Sequence, residues 1–175
     1  MRVFRFYLPL MMVVPVSPLL AATTTSSFTV SSVITSGCAL GTNNTQSVND
    51  FGTLSFGSMS SISENVDVAS SAGAGSVIVT CTPGLAVSIA LDYGIHNGSS
   101  ARRYMENSAT STTLGYQLYQ DASYSNVWGT GEQAYSIASF PSTTQTYTVY
   151  GRLYAVSGLP AAGTYSDTVT VTLTY

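Results

Sequence analysis

The chemistry open to this chain begins with its two cysteines, Cys38 and Cys81. They could form a disulfide, a redox-active dithiol or part of a metal site. A redox-active dithiol usually has the close Cys-x-x-Cys spacing, which is absent here. A metal site would need more imidazole or thiolate ligands than the one histidine, His96, can add. The choice therefore depends on the compartment in which the protein folds.

Acidic residues offer a second kind of chemistry, because Asp121 and Glu132 flank the single tryptophan, Trp128. Paired carboxylates beside an aromatic residue could cleave a glycosidic bond. The alternative is an acid on a loop and a tryptophan in the core or at its rim, which is the commoner arrangement. His96 lies among turn residues, and a lone loop histidine is usually solvated. No Gly-x-Ser-x-Gly elbow or phosphate-binding loop is present. We therefore expect no catalytic residue, no metal and no cofactor.

The first residues of the chain indicate the compartment in which the protein folds. Two arginines, Arg2 and Arg5, precede an apolar run, which ends at Ala21-Ala22. This order is typical of a secretory signal peptide, so we predict that residues 1–22 are removed. The run is short for a membrane span and contains three prolines, and no later segment could span a membrane. Because an exported protein folds under oxidising conditions, we predict that Cys38 and Cys81 form a disulfide.

The shortage of basic residues argues against nucleic acid as a partner. Without the leader, three arginines and no lysine stand against eight acidic residues, so the chain lacks the basic footprint that nucleic acid binding requires. Only 7% of residues are charged, against about 25% in an ordinary domain. Few charges on a β-rich chain give weak protection against pairing between strands of different molecules. We infer a protein that associates with others, or one escorted until it does.

Alternating apolar and polar residues predict β-strands throughout the chain, with no amphipathic helix of useful length. Turn residues separate the runs, which indicates an all-β sandwich in one domain. The predicted strands lie within residues 28–40, 51–57, 77–81, 85–93, 114–118, 147–155 and 165–175.

The last of these runs is the most regular. Its even positions carry only Ser or Thr, whereas its odd positions carry Tyr165, Asp167, Val169, Val171, Leu173 and Tyr175. Such alternation is typical of a strand with one buried and one solvated face. As the sequence ends on this strand, we expect it at a sheet edge or paired with another chain.

The first alternating run raises a matching question, because Phe28, Val30, Ser32 and Ile34 precede Cys38. This stretch could be the first strand of the sandwich itself. It could instead leave the domain and insert into a neighbour, which is strand addition. A spare strand at one end and a missing partner at the other would allow head-to-tail polymerisation.

Several segments resemble the spore coat protein U domain family, which includes the subunits of archaic, or Csu-type, chaperone–usher pili. They follow the family order over nearly all of the chain after the leader. The matching segments are Gly37-Cys38, Phe51-Gly-Thr-Leu-Ser-Phe-Gly57, Val79-Thr-Cys81, Tyr116-Gln-Leu-Tyr-Gln-Asp121, Trp128-Gly129, Tyr150-Gly-Arg152 and Ala162-Gly-Thr-Tyr-Ser-Asp-Thr-Val-Thr-Val-Thr-Leu-Thr-Tyr175.

The resemblance implies an incomplete immunoglobulin-like sandwich that lacks its last strand. A periplasmic chaperone would fill the gap, and an outer-membrane usher would exchange it for the N-terminal strand of the next subunit. By position, residues 23–36 would be the donor segment and 37–175 the pilin-like domain. Phe28, Val30, Ser32 and Ile34 would form the donor face, with Ser32 as a polar departure. The last strand, with Val169, Val171, Leu173 and Tyr175, would border the acceptor groove.

The sequence therefore predicts a shaft or adaptor subunit of a surface fimbria, exported through the periplasm, that serves attachment and biofilm formation. Two alternatives stay open. One is a spore-coat or other surface-layer protein that is assembled without an usher. The other is a module that binds carbohydrate near Trp128 and the tyrosines.

Overall fold

The computed structural model of the chain describes residues 24–41, 50–142 and 144–175. The chain divides into two compact units, Met1–Ile34 and Thr35–Tyr175. The predicted signal peptide, residues 1–22, lies outside the described residues. Residues 24–34 of the first unit contain no strand or helix.

The second unit is built from short strands, as the alternating sequence predicted, so the all-β class is confirmed. A single turn of 3₁₀ helix, Gly131–Gln133, is the only helix in the described part of the chain. Within the same residues, no helix is long and apolar enough to cross a membrane. The strands are β1 (Cys38–Leu40), β2 (Val66–Ala69), β3 (Val77–Cys81), β4 (Val87–Leu91), β5 (Arg103–Asn107), β6 (Thr112–Tyr119), β7 (Tyr135–Ile137), β8 (Gln145–Tyr147), β9 (Tyr150–Leu153), β10 (Tyr165–Ser166) and β11 (Val171–Thr174).

These strands form three antiparallel sheets. The largest has the order β10-β5-β6-β9-β2, and the two smaller sheets are β1-β3-β8 and β11-β4-β7. Consecutive strands β3 and β4 each lie at the centre of a small sheet. The turn between them contains Gly84 at φ +85°, a conformation that favours glycine, and its N–H donates to the carbonyl of Phe140 at 2.8 Å. Strands β1 and β11 each lie at the edge of their sheet.

One apolar core joins the sheets, and strict alternation places its residues. In β3 and β4 every second side chain is buried and the intervening ones are half-buried, as period-two strands require. Tyr116, Leu118 and Leu153 contribute from the large sheet. Half-buried apolar residues on other strands pack against this core.

A fully buried arginine, Arg103 in β5, fastens the end of β4 to the core. Its guanidinium donates to the backbone carbonyls of Asp92 (2.8 Å from Nε), Trp128 (2.8 Å from Nη2) and Leu91 (3.2 Å from Nη2), and to the side-chain oxygen of Gln117. Desolvation lowers the pKa of Arg103 from its ordinary value. Buried charges need such partners, and here neutral oxygens supply all these hydrogen bonds.

One predicted strand is wrong. Residues 51–57 form only an isolated bridge, between Gly52 and Ala74. Gly52 and Gly57 have φ values of +85° and +86°, so the backbone leaves the extended conformation at both glycines. Leu54 and Phe56 still pack against the core. The apolar pattern thus predicted burial correctly but not the hydrogen-bonded strand.

Candidate functional site

The candidate site is the edge strand β11 and the residues leading into it. Its register with β4 pairs Val171 with Leu91 and Leu173 with Ile89. From Tyr165 to Thr174 the odd positions are half-buried and the even positions exposed, which confirms the predicted alternation. Tyr175 continues the odd series, but it is 62% exposed.

Burial across this pairing is unequal. Ile89 is 0% exposed and Leu91 is 2% exposed, whereas their partners Leu173 and Val171 are only half-buried. All four contact the same core. The difference arises because β4 has a strand on each side, β11 and β7, whereas β11 has only β4. Apolar side chains at the edge therefore stay partly in contact with water.

Two aspartates hold the chain that enters β11. Oδ1 of Asp92 accepts the N–H groups of Thr170 (2.9 Å) and Gly94 (3.1 Å). The backbone N–H of Asp92 in turn donates to the carbonyl of Thr170 at 3.0 Å. Asp167 lies three residues earlier, and its side chain is 2% exposed. Its Oδ1 accepts the N–H groups of Ile95 and of Thr168, each at 2.9 Å. These bonds position the last strand against the β4–β5 loop.

His96 lies in this loop, between two carboxylates. Its Nδ1 is 3.6 Å from Oε2 of Glu106, and its Nε2 is 3.9 Å from Oδ1 of Asp167. The expectation of a solvated histidine is thus only partly correct, because the side chain is 23% exposed and faces acids. The three residues do not form a metal centre, since the described residues contain no group of histidine, cysteine and acids that could hold one.

The disulfide anchors another edge strand of the small sheets, β1. Cys38 in β1 and Cys81 in β3 are register partners, and their sulfur atoms are bonded. The N–H of Thr82 donates to the carbonyl of Gly37 at 2.9 Å and extends this pairing. The predicted disulfide is therefore present in the structure, and it holds the chain just after the first unit's last residue, Ile34.

The candidate donor residues lie in the first unit, where the described residues 24–34 have no regular structure. Phe28, Val30 and Ile34 are 87%, 83% and 93% exposed. Ser32 is exposed as well. Val33, on the opposite parity, is another exposed apolar residue, which the alternation did not predict as part of a face.

Two of the residues considered for sugar cleavage, Trp128 and Asp121, make hydrogen bonds within the domain. Trp128 is buried, and its Nε1 donates to the carbonyl of Ile89 at 2.9 Å. Asp121 caps its own turn by accepting N–H groups of Ser123 (3.0 Å) and Asn126 (2.8 Å). Hydrogen bonds from the Ser123 hydroxyl and from the backbone hold the pKa of Asp121 at about 2. Glu132 is exposed in the 3₁₀ turn.

Comparison with known proteins gives a consistent family match. A family model of the Spore Coat Protein U domain matches residues 24–172. Protein U of Myxococcus xanthus is 33% identical over 172 residues, which cover 91% of this chain and 89% of that protein.

Among solved structures, similarity is found to a chain in the CsuC–CsuE chaperone–tip adhesion subunit pre-assembly complex, from the archaic chaperone-usher Csu pili of Acinetobacter baumannii. The identity is 26% and the TM-score is 0.49. The match covers 81% of this chain, which spans only 40% of the length of that solved chain.

Proposed function

The chain belongs to the Spore Coat Protein U domain family, and we propose that it is a secreted structural subunit, of shaft or adaptor type, in a chaperone–usher fimbria. In this proposal the subunits join by donor-strand exchange, and the fibre serves surface attachment and biofilm formation. The protein is exported through the periplasm and acts at the cell surface.

One observation carries the proposal, namely the incomplete burial of Val171 and Leu173 beside fully buried partners in β4. Complete burial of such a side chain stabilises a protein by roughly 1.5–3 kcal/mol, and a whole domain is stable by only about 5–15 kcal/mol. A strand added along the free edge of β11 would therefore stabilise the domain substantially. The same edge left open would favour aggregation.

The first unit supplies a segment of suitable character for the added strand. Its exposed residues Phe28, Val30 and Ile34 share one parity, and strand addition uses alternate side chains in pockets and main-chain hydrogen bonds along the edge. A donor at one end and an acceptor edge at the other make a heterologous contact, which builds open fibres.

Before assembly the acceptor edge needs a temporary cover. A periplasmic chaperone would provide it, and an outer-membrane usher would replace the chaperone by the donor segment of the neighbouring subunit. The low content of charged residues, 7%, agrees with a chain that is escorted, because charges are what commonly protect free strand edges.

Self-complementation tests this function directly. Residues 23–36 are appended after Tyr175 through a flexible linker, so that the acceptor edge is filled within one chain. We expect a soluble monomer with a raised melting temperature that no longer polymerises through its own groove. The matched control carries Asp in place of Val30 and Ile34 in the appended copy only, and it should behave like the unextended chain. Equal melting temperatures for all three proteins, each monomeric without a chaperone, would contradict the proposal.

A second candidate, a coat protein assembled without an usher, is favoured by the family description itself and by the similarity to Protein U. Electron microscopy of producing cells, with and without this chain, separates the two. Loss of thin surface fibres supports the fimbrial function, whereas loss of a continuous surface layer supports the coat.

A further inference from the structure

A small cleft opens where two sheet edges meet, away from β11. Strand β7 ends one small sheet and β8 ends the other, and the cleft lies between them, beside the end of β6 and the start of β9. Its volume is about 210 Å³, smaller than the roughly 300–1,000 Å³ of sites for drug-sized ligands. Trp128 borders the cleft, and its other lining residues are Gln120, Tyr135, Thr146, Tyr147, Thr148 and Tyr150.

The cleft combines aromatic rings with hydroxyl groups. The rings of Tyr135 and Tyr147 lie 5.2 Å apart, and Tyr135 lies 5.7 Å from Trp128, so these rings support each other. Desolvation, followed by the influence of Tyr135, raises the pKa of Tyr147 above its ordinary value.

The hydroxyls around the cleft have no partner among the described residues. This holds for the tyrosines 135, 147 and 150 and for the threonines 146 and 148, all of which are half-buried or exposed. By contrast, the hydroxyl of Tyr116 is bonded to Asp167, and that of Tyr119 to Tyr154. The described residues contain no buried side-chain nitrogen or oxygen without a partner, so the hydroxyls around the cleft are accessible to solvent. Free hydroxyls that line one cleft are available to a ligand with many hydroxyl groups.

The lack of charged side chains around the cleft favours an uncharged ligand. No acidic or basic side chain lines the cleft, and the whole chain has a formal charge of −3. An anionic ligand would therefore meet no cation there and would be repelled by the protein as a whole. Asp121 and Glu132 do not line the cleft either, so binding is expected without cleavage.

From these observations we propose that the cleft binds one ring of a neutral saccharide. The C–H face of the sugar packs on the tyrosine rings, and its hydroxyls exchange hydrogen bonds with the tyrosine and threonine hydroxyls and donate to the amide oxygen of Gln120, whose nitrogen already donates to Val127 and Gln133. The site uses strands β7–β9 rather than β11. A fibre of such subunits would present the cleft many times over, which strengthens attachment by multivalency.

The test is a binding measurement on the purified secreted chain. An array of immobilised neutral and acidic oligosaccharides finds the ligand, and titration with methyl glycosides of glucose, galactose, mannose and N-acetylglucosamine follows. Trp128 is the only tryptophan and borders the cleft, so its fluorescence reports occupancy. We expect binding to at least one neutral sugar and to no acidic one.

Hydroxyl deletions then locate the site. Tyr147→Phe and Thr148→Val should each weaken binding about two- to tenfold, which corresponds to the loss of one hydrogen bond. Tyr104→Phe is the matched control, because Tyr104 lies outside the cleft, and it should bind as the unaltered chain does. Unchanged melting temperatures show that each variant is folded. The proposal is overturned if no neutral sugar binds at millimolar concentration, if only acidic glycans bind, or if the folded cleft variants bind as tightly as the control.

Discussion

The phenol hydroxyl of Tyr116 donates a hydrogen bond of 2.6 Å to Oδ2 of Asp167. Tyr116 belongs to β6, which lies at the centre of the five-stranded sheet, and Asp167 lies just before the edge strand β11. Both side chains are nearly inaccessible to solvent. The bond therefore connects the segment that leads into the candidate acceptor edge to the central strand of the five-stranded sheet.

Removing this hydroxyl should destabilise the domain. In Tyr116→Phe the ring and its packing remain, but Asp167 loses a donor in a site where water cannot replace it. We expect a loss of about 1–3 kcal/mol in the free energy of unfolding, measured by denaturant titration. Tyr165→Phe is the control, because the hydroxyl of Tyr165 bonds to Ala161 and Thr112 at an exposed position. If both variants lose the same free energy of unfolding, the hydrogen bond to Asp167 stabilises the domain no more than an exposed one does.

Alkaline pH should destabilise the folded protein through the same tyrosine. Burial, followed by the bond to Asp167, raises the pKa of Tyr116 far above its usual value, and burial with a bond to Tyr154 raises the pKa of Tyr119 to about 12. A raised folded-state pKa contributes stability that is present below the unfolded value, about 10, and is lost as pH rises further. We therefore expect the free energy of unfolding to fall from about pH 10 upward.

Equilibrium unfolding in guanidinium at several pH values measures this fall. Because Tyr116→Phe removes a phenol whose pKa is raised by burial, its stability should decline less steeply above pH 10 than that of the unaltered chain. Parallel curves for the two proteins would exclude Tyr116 as a source of the pH dependence.

The disulfide should contribute strongly to stability. It closes a loop with a sequence separation of 43, and loss of a native disulfide in a small secreted domain typically costs about 2–5 kcal/mol. Cys38→Ser and Cys81→Ser should therefore lower the melting temperature by similar amounts, and so should reduction of the unaltered chain. The serine variants should not respond to the reductant. Two alkylatable thiols in the secreted protein would rule out the bond.

If residues 23–36 act as a donor segment, substitutions there should block polymerisation without preventing the domain from folding. Val30→Asp combined with Ile34→Asp should abolish polymer but leave a folded, chaperone-bound monomer, because a carboxylate is costly to bury in a neighbour's apolar groove. Size-exclusion chromatography and electron microscopy of the co-expressed protein measure both properties.

The matched control is Thr29→Asp combined with Ser31→Asp, which adds the same charge on the alternate positions and should still polymerise. If the first variant instead loses its chaperone complex and unfolds, the stretch belongs to the core of its own domain and the donor assignment fails.

The sequence by itself determined the local features of this protein. Period-two alternation predicted an all-β fold and the half-buried face of residues 165–174, because side-chain direction in a strand depends only on the local backbone. The basic and apolar leader indicated export, and export predicted the bond between Cys38 and Cys81.

Only the tertiary structure decided which strands have neighbours on both sides. Alternation in β4 and β11 is equally clear, yet Ile89 is buried and Leu173 is not, because sheet order depends on contacts between residues far apart in sequence. The burial of Arg103 among backbone carbonyls could not be predicted from the neighbouring sequence either, because those carbonyls belong to residues far from it along the chain. Residues 51–57 do not form the predicted strand, because Gly52 and Gly57 have positive φ values. The tyrosine cleft likewise appears only where separate sheet edges bring Tyr135 and Tyr147 together.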